Sequence, residues 1–224
     1  MTAQTESLRQ LLGDLHAERV RTWDPAVLQV SIDQRKTLVR DSDYAGFVKT
    51  GDRLDSFTLT EVDRGPLDID TLLKAGPVVL VFFRFATCPA CNIALPYYNR
   101  QLAPRLASLG ATLIAVSPQD PARLKDIKDR QGLDFLVASD GNALSRRLGI
   151  LYTFDEASKA AALAKGTFIG DVTGTGTWEL PMPTVVVIGQ DRVVRFADVS
   201  PDWMVRTEAE PVIAAVEALE SVPA

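Results

Sequence analysis

The segment PVVLVFF, residues 77–83, constrains the fold most. Its apolar residues run without the alternation that a half-exposed strand shows. A continuous run of this length, rich in valine, reads as a strand covered on both faces. Similar runs follow in ATLIAVS (111–117) and LDFLVASD (133–140), with helical patterns between them. Strand–helix alternation of this kind requires crossover connections, so the centre of the sheet is expected to be mainly parallel.

The remaining elements follow from spacing and punctuation. Residues 8–39 read as helical, with Leu8, Leu11, Leu12 and Leu15 on one face. Asp24 and Pro25 supply an N-cap and a first-turn proline for a second helix. A polar, turn-rich stretch leads to a boundary near Gly51. Residues 1–50 are therefore expected to be a helical extension that packs or dimerises, and residues 51–224 a single α/β domain. SFTLTEV (56–62) alternates as a strand, and GPLDIDTLLKAG (65–76) reads as a turn and a short helix. Residues 89–109 read as one helix, PQDPARLKDIKDRQG (118–132) as a polar helix with a glycine stop, and GNALSRRLG (141–149) as a short helix. DEASKAAALAKG (155–166) is an alanine-rich helix. TFIGDVTGTGTWELP (167–181) is too rich in Gly and Thr for a helix and is expected to be a loop. TVVVIGQDRVVRFADV (184–199) is a β-hairpin, and a last helix covers residues 211–219.

Charge and hydropathy narrow the function. A net charge of −5 and a pI near 5.0 argue against nucleic acid as a partner. Arg146 and Arg147 read as a solvated helix face. No segment has the roughly 18 apolar residues that a membrane span needs. The first residues lack the basic region, apolar stretch and cleavage site of a signal peptide. A cytoplasmic, reducing location is therefore expected, where a close cysteine pair is more often catalytic or metal-binding than a structural disulfide.

The chain holds two cysteines, Cys88 and Cys91, at the junction of the buried strand and the next helix. Pro89 suits the first position of a helix, which puts Cys88 at the N-cap and Cys91 in the first turn. The positive end of a helix favours thiolate over thiol, and thiolate is the reactive form. The i, i+3 spacing brings both sulfurs to one helix face, within reach of a disulfide. The placement points to a reversible dithiol/disulfide pair. The alternatives are two inert buried thiols, or a zinc site. Zinc wants four ligands, and the only histidine, His16, is far away in sequence. No metal or cofactor is expected. Pro183 precedes a buried strand, either as a cis-proline at a site edge or as a plain strand-leading proline. Arg84, at the exit of the buried strand, either offers positive charge to a thiolate or forms a surface ion pair.

These residues resemble the thioredoxin-fold superfamily: a buried strand, CxxC at a helix start, Pro96 five residues later, and Met182-Pro183-Thr184 before a hairpin. A closer resemblance is to the peroxiredoxin-like group of the AhpC/TSA family. It rests on GDRLDSFTL (51–59), PVVLVFFRFATCPACNIAL (77–95), GATLIAVSPQ (110–119) and WELPMPTVVVIGQDRVVRFADV (178–199). The resemblance implies a thioredoxin-like α/β fold with a mixed central sheet, and a helical N-terminal extension is usual for the group. It implies a cis Met182–Pro183 bond with Pro183 facing the cysteines. It also implies peroxide reduction through Cys88 and Cys91, with Thr87, Arg84 and Pro183 around the substrate. The partners expected are a peroxide and a thioredoxin-like or small-thiol reductant, and a homodimer is possible.

The chain departs from the PxxxTxxC pattern of typical peroxiredoxins. Aligned from Phe82-Phe83, Arg84 stands for the proline, Cys88 for the threonine and Cys91 for the peroxide-reacting cysteine; Thr87 is one position off. That register favours Cys91 as the attacking thiol, whereas the N-cap favours Cys88 as the exposed thiol that exchanges with a reductant. Three readings remain: a thiol peroxidase, a thiol–disulfide oxidoreductase, and a non-catalytic thioredoxin-fold binding module.

Overall fold

The computed structural model describes residues 6–220. Its main sheet has the order β2-β1-β5-β4-β3-β8-β9. β3 (Val78–Phe82) runs parallel to β4 (Thr112–Ser117), and β4 parallel to β5 (Leu136–Ser139). The hairpin β8 (Thr184–Ile188) and β9 (Val194–Val199) pairs antiparallel on the other side of β3. β1 (Thr58–Glu61) and β2 (Gly65–Asp68) close the far edge, also antiparallel. The sheet is mixed, with a parallel centre, as the strand patterns require.

The apolar run of β3 is covered on both sides. Val79, Val81 and Phe83 join a core shared with the helices of one face, while Val78, Leu80 and Phe82 join a second core with Ile69, Leu73, Leu144 and Leu148. Each side chain thus leaves water by the alternation of the strand itself, and full burial explains why no polar residue interrupts the run. α4 (Pro89–Gln101), α6 (Pro121–Gln131) and α10 (Ala209–Glu220) contribute to the first core; α3 (Ile69–Ala75) and α7 (Ala143–Arg147) contribute to the second.

Two expected elements differ. The single helix over residues 89–109 is two, α4 and α5 (Ala103–Ser108), meeting at Leu102. Pro104 has no N–H to continue the ladder and its ring opposes the carbonyl four residues back, so the helix restarts around it. The expected loop 167–181 holds α9 (Ile169–Thr173) and β7 (Glu179–Pro181), the latter paired with β6 (Leu151–Thr153). Its glycines serve packing and capping: Gly174 ends α9 at φ 82°, and a Cβ on Gly170 would lie 2.6 Å from the Thr177 nitrogen. β2 was also unforeseen in the 65–76 turn, and the last helix starts at Ala209, before Pro211.

The N-terminal helices are α1 (Leu8–Thr22) and α2 (Pro25–Asp41), the second capped by the Asp24 side chain with Pro25 in its first turn. Glu208, next to α10, fixes the start of α1. Its carboxylate accepts from the Leu8 and Arg9 backbone N–H groups at 3.0 and 2.9 Å, and from the Ser7 hydroxyl at 2.9 Å. A carboxylate there meets the unpaired N–H groups and the positive end of the helix. The same carboxylate accepts from the Tyr97 hydroxyl of α4 at 2.7 Å. Leu8 and Leu12 are buried in the core shared with α4.

Glu61 at the end of β1 offers a test of the frame. Its side chain is fully buried, 2.9 Å from the Lys128 ammonium of α6, and accepts from the Asp63 and Arg64 N–H groups. Burial pushes its carboxyl up, but Lys128 and the two backbone donors outweigh this and hold it below its ordinary 4.5. A carboxyl lowered in the folded state contributes stability above its unfolded value, and that contribution fades as pH falls through the folded one. Glu61→Gln is expected to cost about 2 kcal/mol at neutral pH, since one partner of a buried pair is removed while Lys128 keeps Asp63. Urea denaturation should also show a shallower loss of stability below pH 4.5 in the variant.

Candidate active site at the start of α4

Cys88 is the N-cap of α4 and Pro89 its first residue. No side-chain cap bond is made there, so the positive end of the helix is left to the sulfur. Cys91 lies one turn on. Both are free thiols. The strand-to-helix loop is pinned from several sides. The Asn92 amide donates to the Ala86 and Cys88 carbonyls at 2.8 and 2.9 Å, and Ala86 N–H donates to Gln119 Oε1 at 2.8 Å. Gln131 and Arg130 in turn donate to Asn92 Oδ1 at 2.9 and 3.2 Å. An immobile loop fixes the Cys88 sulfur relative to its neighbours.

Two arginines flank the sulfurs. Arg84 is 9% exposed and forms no ion pair among the described residues, so a surface ion pair is not its role. Its guanidinium carbon sits over aromatic rings, 4.5 Å from the Trp203 centroid and 5.3 Å from that of Phe85. Trp203 stacks in turn on Tyr152 at 5.8 Å, and burial pushes the Tyr152 phenol up to about 12. Arg206, from the segment before α10, donates through Nε to the Trp203 carbonyl at 3.1 Å and through Nη2 to Cys91 Sγ at 3.6 Å. It is buried as well.

The two thiols are pushed apart. The Cys91 thiol, hydrogen-bonded to the Cys88 sulfur, holds Cys88 well below the usual thiol range; burial opposes this, and Arg84 and Arg206 add favourable charge. Burial drives Cys91 well above that range, helped by its bond to Cys88 and the negative charge there. One thiolate with one thiol donating to it is what two close sulfurs share when only one can ionise.

Cys88 is not exposed as its N-cap position suggested: it is 2% accessible, and Cys91 is fully buried. Cys88, Arg84 and Phe85 line a cavity of about 230 Å³ that Cys91 does not reach. α1 and α2 wall it with Arg19, Trp23 and Gln34, and α8 (Glu156–Leu163) with Ser158 and Ala161. The helical extension thus forms part of the site. Thr87 is exposed and lies outside the cavity lining. Pro183 is buried beside the end of β3, since Thr184 pairs with Phe82, but it too lies outside that lining. The Met182–Pro183 bond is trans, against expectation, as are all described peptide bonds. The extended lead into β8 is held without a cis bond: Met182 N–H donates to the Ile150 carbonyl at 2.7 Å, and the Pro183 carbonyl accepts from Ser200 N–H at 2.8 Å. Arg206, Arg19 and Trp203 had no signal in the sequence. Arg206 is 115 residues from Cys91, and nothing in its neighbourhood marks it. No group of His, Cys, Asp and Glu suited to a metal occurs among the described residues.

A mixed sheet with a dithiol at the N-terminus of the helix after a central strand defines a thioredoxin-type fold of the peroxiredoxin kind. Solved structures agree. The peroxidoxin BcpB of Mycobacterium tuberculosis superposes with a TM-score of 0.59 and 23% identity, covering 78% of this chain and 99% of that one. A reduced Vibrio vulnificus peroxiredoxin in complex with hydrogen peroxide gives a TM-score of 0.58 at 23% identity, covering 76% and 99%. Residues 50–197 match the model of the AhpC/TSA family, and the chain belongs to that family. A Mycobacterium tuberculosis protein named as a peroxiredoxin is 29% identical over 93 residues, 42% of this chain and 60% of that protein. Alignment to such relatives thus spans less than two thirds of their length. Arg206 and the residues of α1 and α2 around the cavity lie outside the family match.

Proposed function

We propose that the protein is a thiol peroxidase in which Cys88 attacks and Cys91 resolves. The observation that carries this reading is geometric: Cys88, at the N-cap of α4, lines the cavity, while Cys91, one turn behind it, does not; the lowered Cys88 thiol and the raised Cys91 thiol agree with it. The thiolate attacks the terminal oxygen of a hydroperoxide. The O–O bond breaks, Cys88 becomes a sulfenic acid, and the leaving alkoxide or hydroxide takes a proton. Cys91 then attacks the Cys88 sulfur, an S–S bond forms and water leaves. An external dithiol of thioredoxin type, or a small thiol, returns the pair to its reduced form by exchange. Arg84 and Arg206 supply positive charge for the thiolate and for the negative charge that develops on the oxygens. This assignment places attack at Cys88 and not at Cys91, where the peroxiredoxin register alone would put it.

Reduction of protein disulfides is the second reading, supported by the same CxxC at a helix N-cap. Two assays separate them. A stopped-flow mix of reduced protein with one equivalent of hydroperoxide should show fast loss of thiol, and mass analysis an intramolecular Cys88–Cys91 disulfide. Insulin reduction by the dithiol form should be slow. Fast insulin reduction with peroxide reactivity no better than a free thiol would sink the peroxidase reading.

A further inference from the structure

The cavity over Cys88 is larger than hydrogen peroxide needs, and several of its buried polar groups have no partner. Gln34 Nε2, Ser158 Oγ and Arg84 Nε are buried and have no hydrogen-bond partner. Their residues are 3%, 8% and 9% exposed, come from α2, α8 and the loop after β3, and all line this cavity. Buried polar atoms are normally paired, so orphans from separate segments at one cavity call for a ligand. All three can donate. Arg19, also buried here, donates to the Met204 sulfur at 3.5 Å, a weak acceptor and its one side-chain hydrogen-bond partner among the described residues. Lys165 stands at the rim, 5.4 Å over the Trp23 ring. No carboxylate lines the cavity. Between these groups the wall is apolar, with Trp23, Val27, Val30, Phe154, Ala161 and Trp203. Arg19, Arg84 and Lys165 outnumber the one thiolate, Cys88, so the cavity keeps positive charge and unpaired donors that suit an anion, and the apolar wall suits a hydrocarbon body.

We propose that this cavity binds a medium-chain organic carboxylate, and that the hydroperoxide reduced at Cys88 is one carrying such a carboxylate. The second half rests on the peroxidase reading. The carboxylate takes the hydrogen bonds of Gln34, Ser158 and the guanidiniums, and the chain covers the apolar wall. In the reaction the Cys88 thiolate takes the terminal oxygen, and the rest of the molecule leaves as the corresponding hydroxy acid once its alkoxide gains a proton. Cys91 closes the disulfide with release of water.

Decanoate, which cannot react, tests binding apart from chemistry. Titrated into the reduced protein, it should give a saturable change in the fluorescence of Trp23 and Trp203. Decanol, the same chain without charge, should bind at least about tenfold more weakly, because the charge-assisted hydrogen bonds are lost. Decylamine should not bind. Gln34→Leu combined with Ser158→Ala should weaken decanoate by about tenfold or more and leave decanol unchanged. In turnover, a hydroperoxide of a fatty acid should have a higher kcat/KM than its methyl ester. Equal binding of decanoate and decanol, or no saturable binding of decanoate, would overturn the proposal. Saturable, charge-dependent binding with no turnover of the fatty-acid hydroperoxide, while hydrogen peroxide still reacts fast, would leave the anion site standing and overturn the substrate assignment; slow reaction with both would remove the peroxidase reading instead.

Discussion

Cys88→Ser reduces the rate of reaction with a hydroperoxide by orders of magnitude, to that of an ordinary thiol or below. Serine has no thiolate to offer, and Cys91, the sulfur that remains, is fully buried and held protonated by that burial. Cys91 also lies outside the cavity through which a small molecule meets Cys88. Cys91→Ser behaves differently. Its hydroxyl can still donate towards Cys88, and Arg84 and Arg206 remain, so the first oxidation stays fast. The sulfenic acid then has no partner one turn away. The protein should stop after one turnover and, with excess oxidant, climb to sulfinic acid. Stopped-flow rates of both variants, with mass analysis after one and ten equivalents of oxidant, make the comparison. A fast Cys88→Ser and a slow Cys91→Ser would reverse the roles and restore the assignment that the peroxiredoxin register suggests. Background rates in both variants and in the unaltered protein would leave disulfide exchange as the better account.

The asymmetry that this experiment reads was only half legible in the sequence. The strand, the N-cap and the i, i+3 spacing are local, and local signals placed Cys88 and Cys91 where the structure has them. The continuous runs of β3 and β4 gave the parallel centre for the same reason: burial on two faces leaves its mark residue by residue. The balance between the sulfurs is set by close neighbours, Cys91 and Arg84, and then by Arg206, which comes from far along the chain. Arg206 reaches Cys91 from beyond the hairpin, and the Trp203 ring lies 4.5 Å from the Arg84 guanidinium carbon. An arginine in a polar-looking stretch carries no mark that it will be buried. The cavity is the same case. Gln34 and Ser158 sit in two helices far apart in the sequence, and only their meeting at the cavity beside Cys88 gives them meaning. The trans bond before Pro183 shows the opposite limit. A motif borrowed from related folds implied a geometry that the hydrogen bonds of this chain do not need.

Arg84→Met raises the pH at which Cys88 ionises and slows the peroxide reaction at neutral pH by about tenfold or more, the scale on which an adjacent opposite charge acts on a buried acid. Methionine keeps much of the volume and the contact with the Trp203 ring while removing the charge. The direction follows from the balance at Cys88. Its thiolate is favoured first by the Cys91 thiol and next, against burial, by Arg84 and then Arg206. Without Arg84 only the Cys91 thiol and Arg206 oppose the burial, so the neutral thiol persists to higher pH. Thiolate absorbance followed against pH should show the midpoint displaced upward, and the rate should recover as pH is raised through the new midpoint. Arg84→Lys should fall between, because it keeps the charge but not the planar guanidinium that sits over Trp203. A role in packing alone would lower the melting temperature and leave the titration where it was. If the titration does not move in Arg84→Met, positive charge at the exit of β3 has no part in activating Cys88, and Arg206 and the Cys91 thiol carry that task between them.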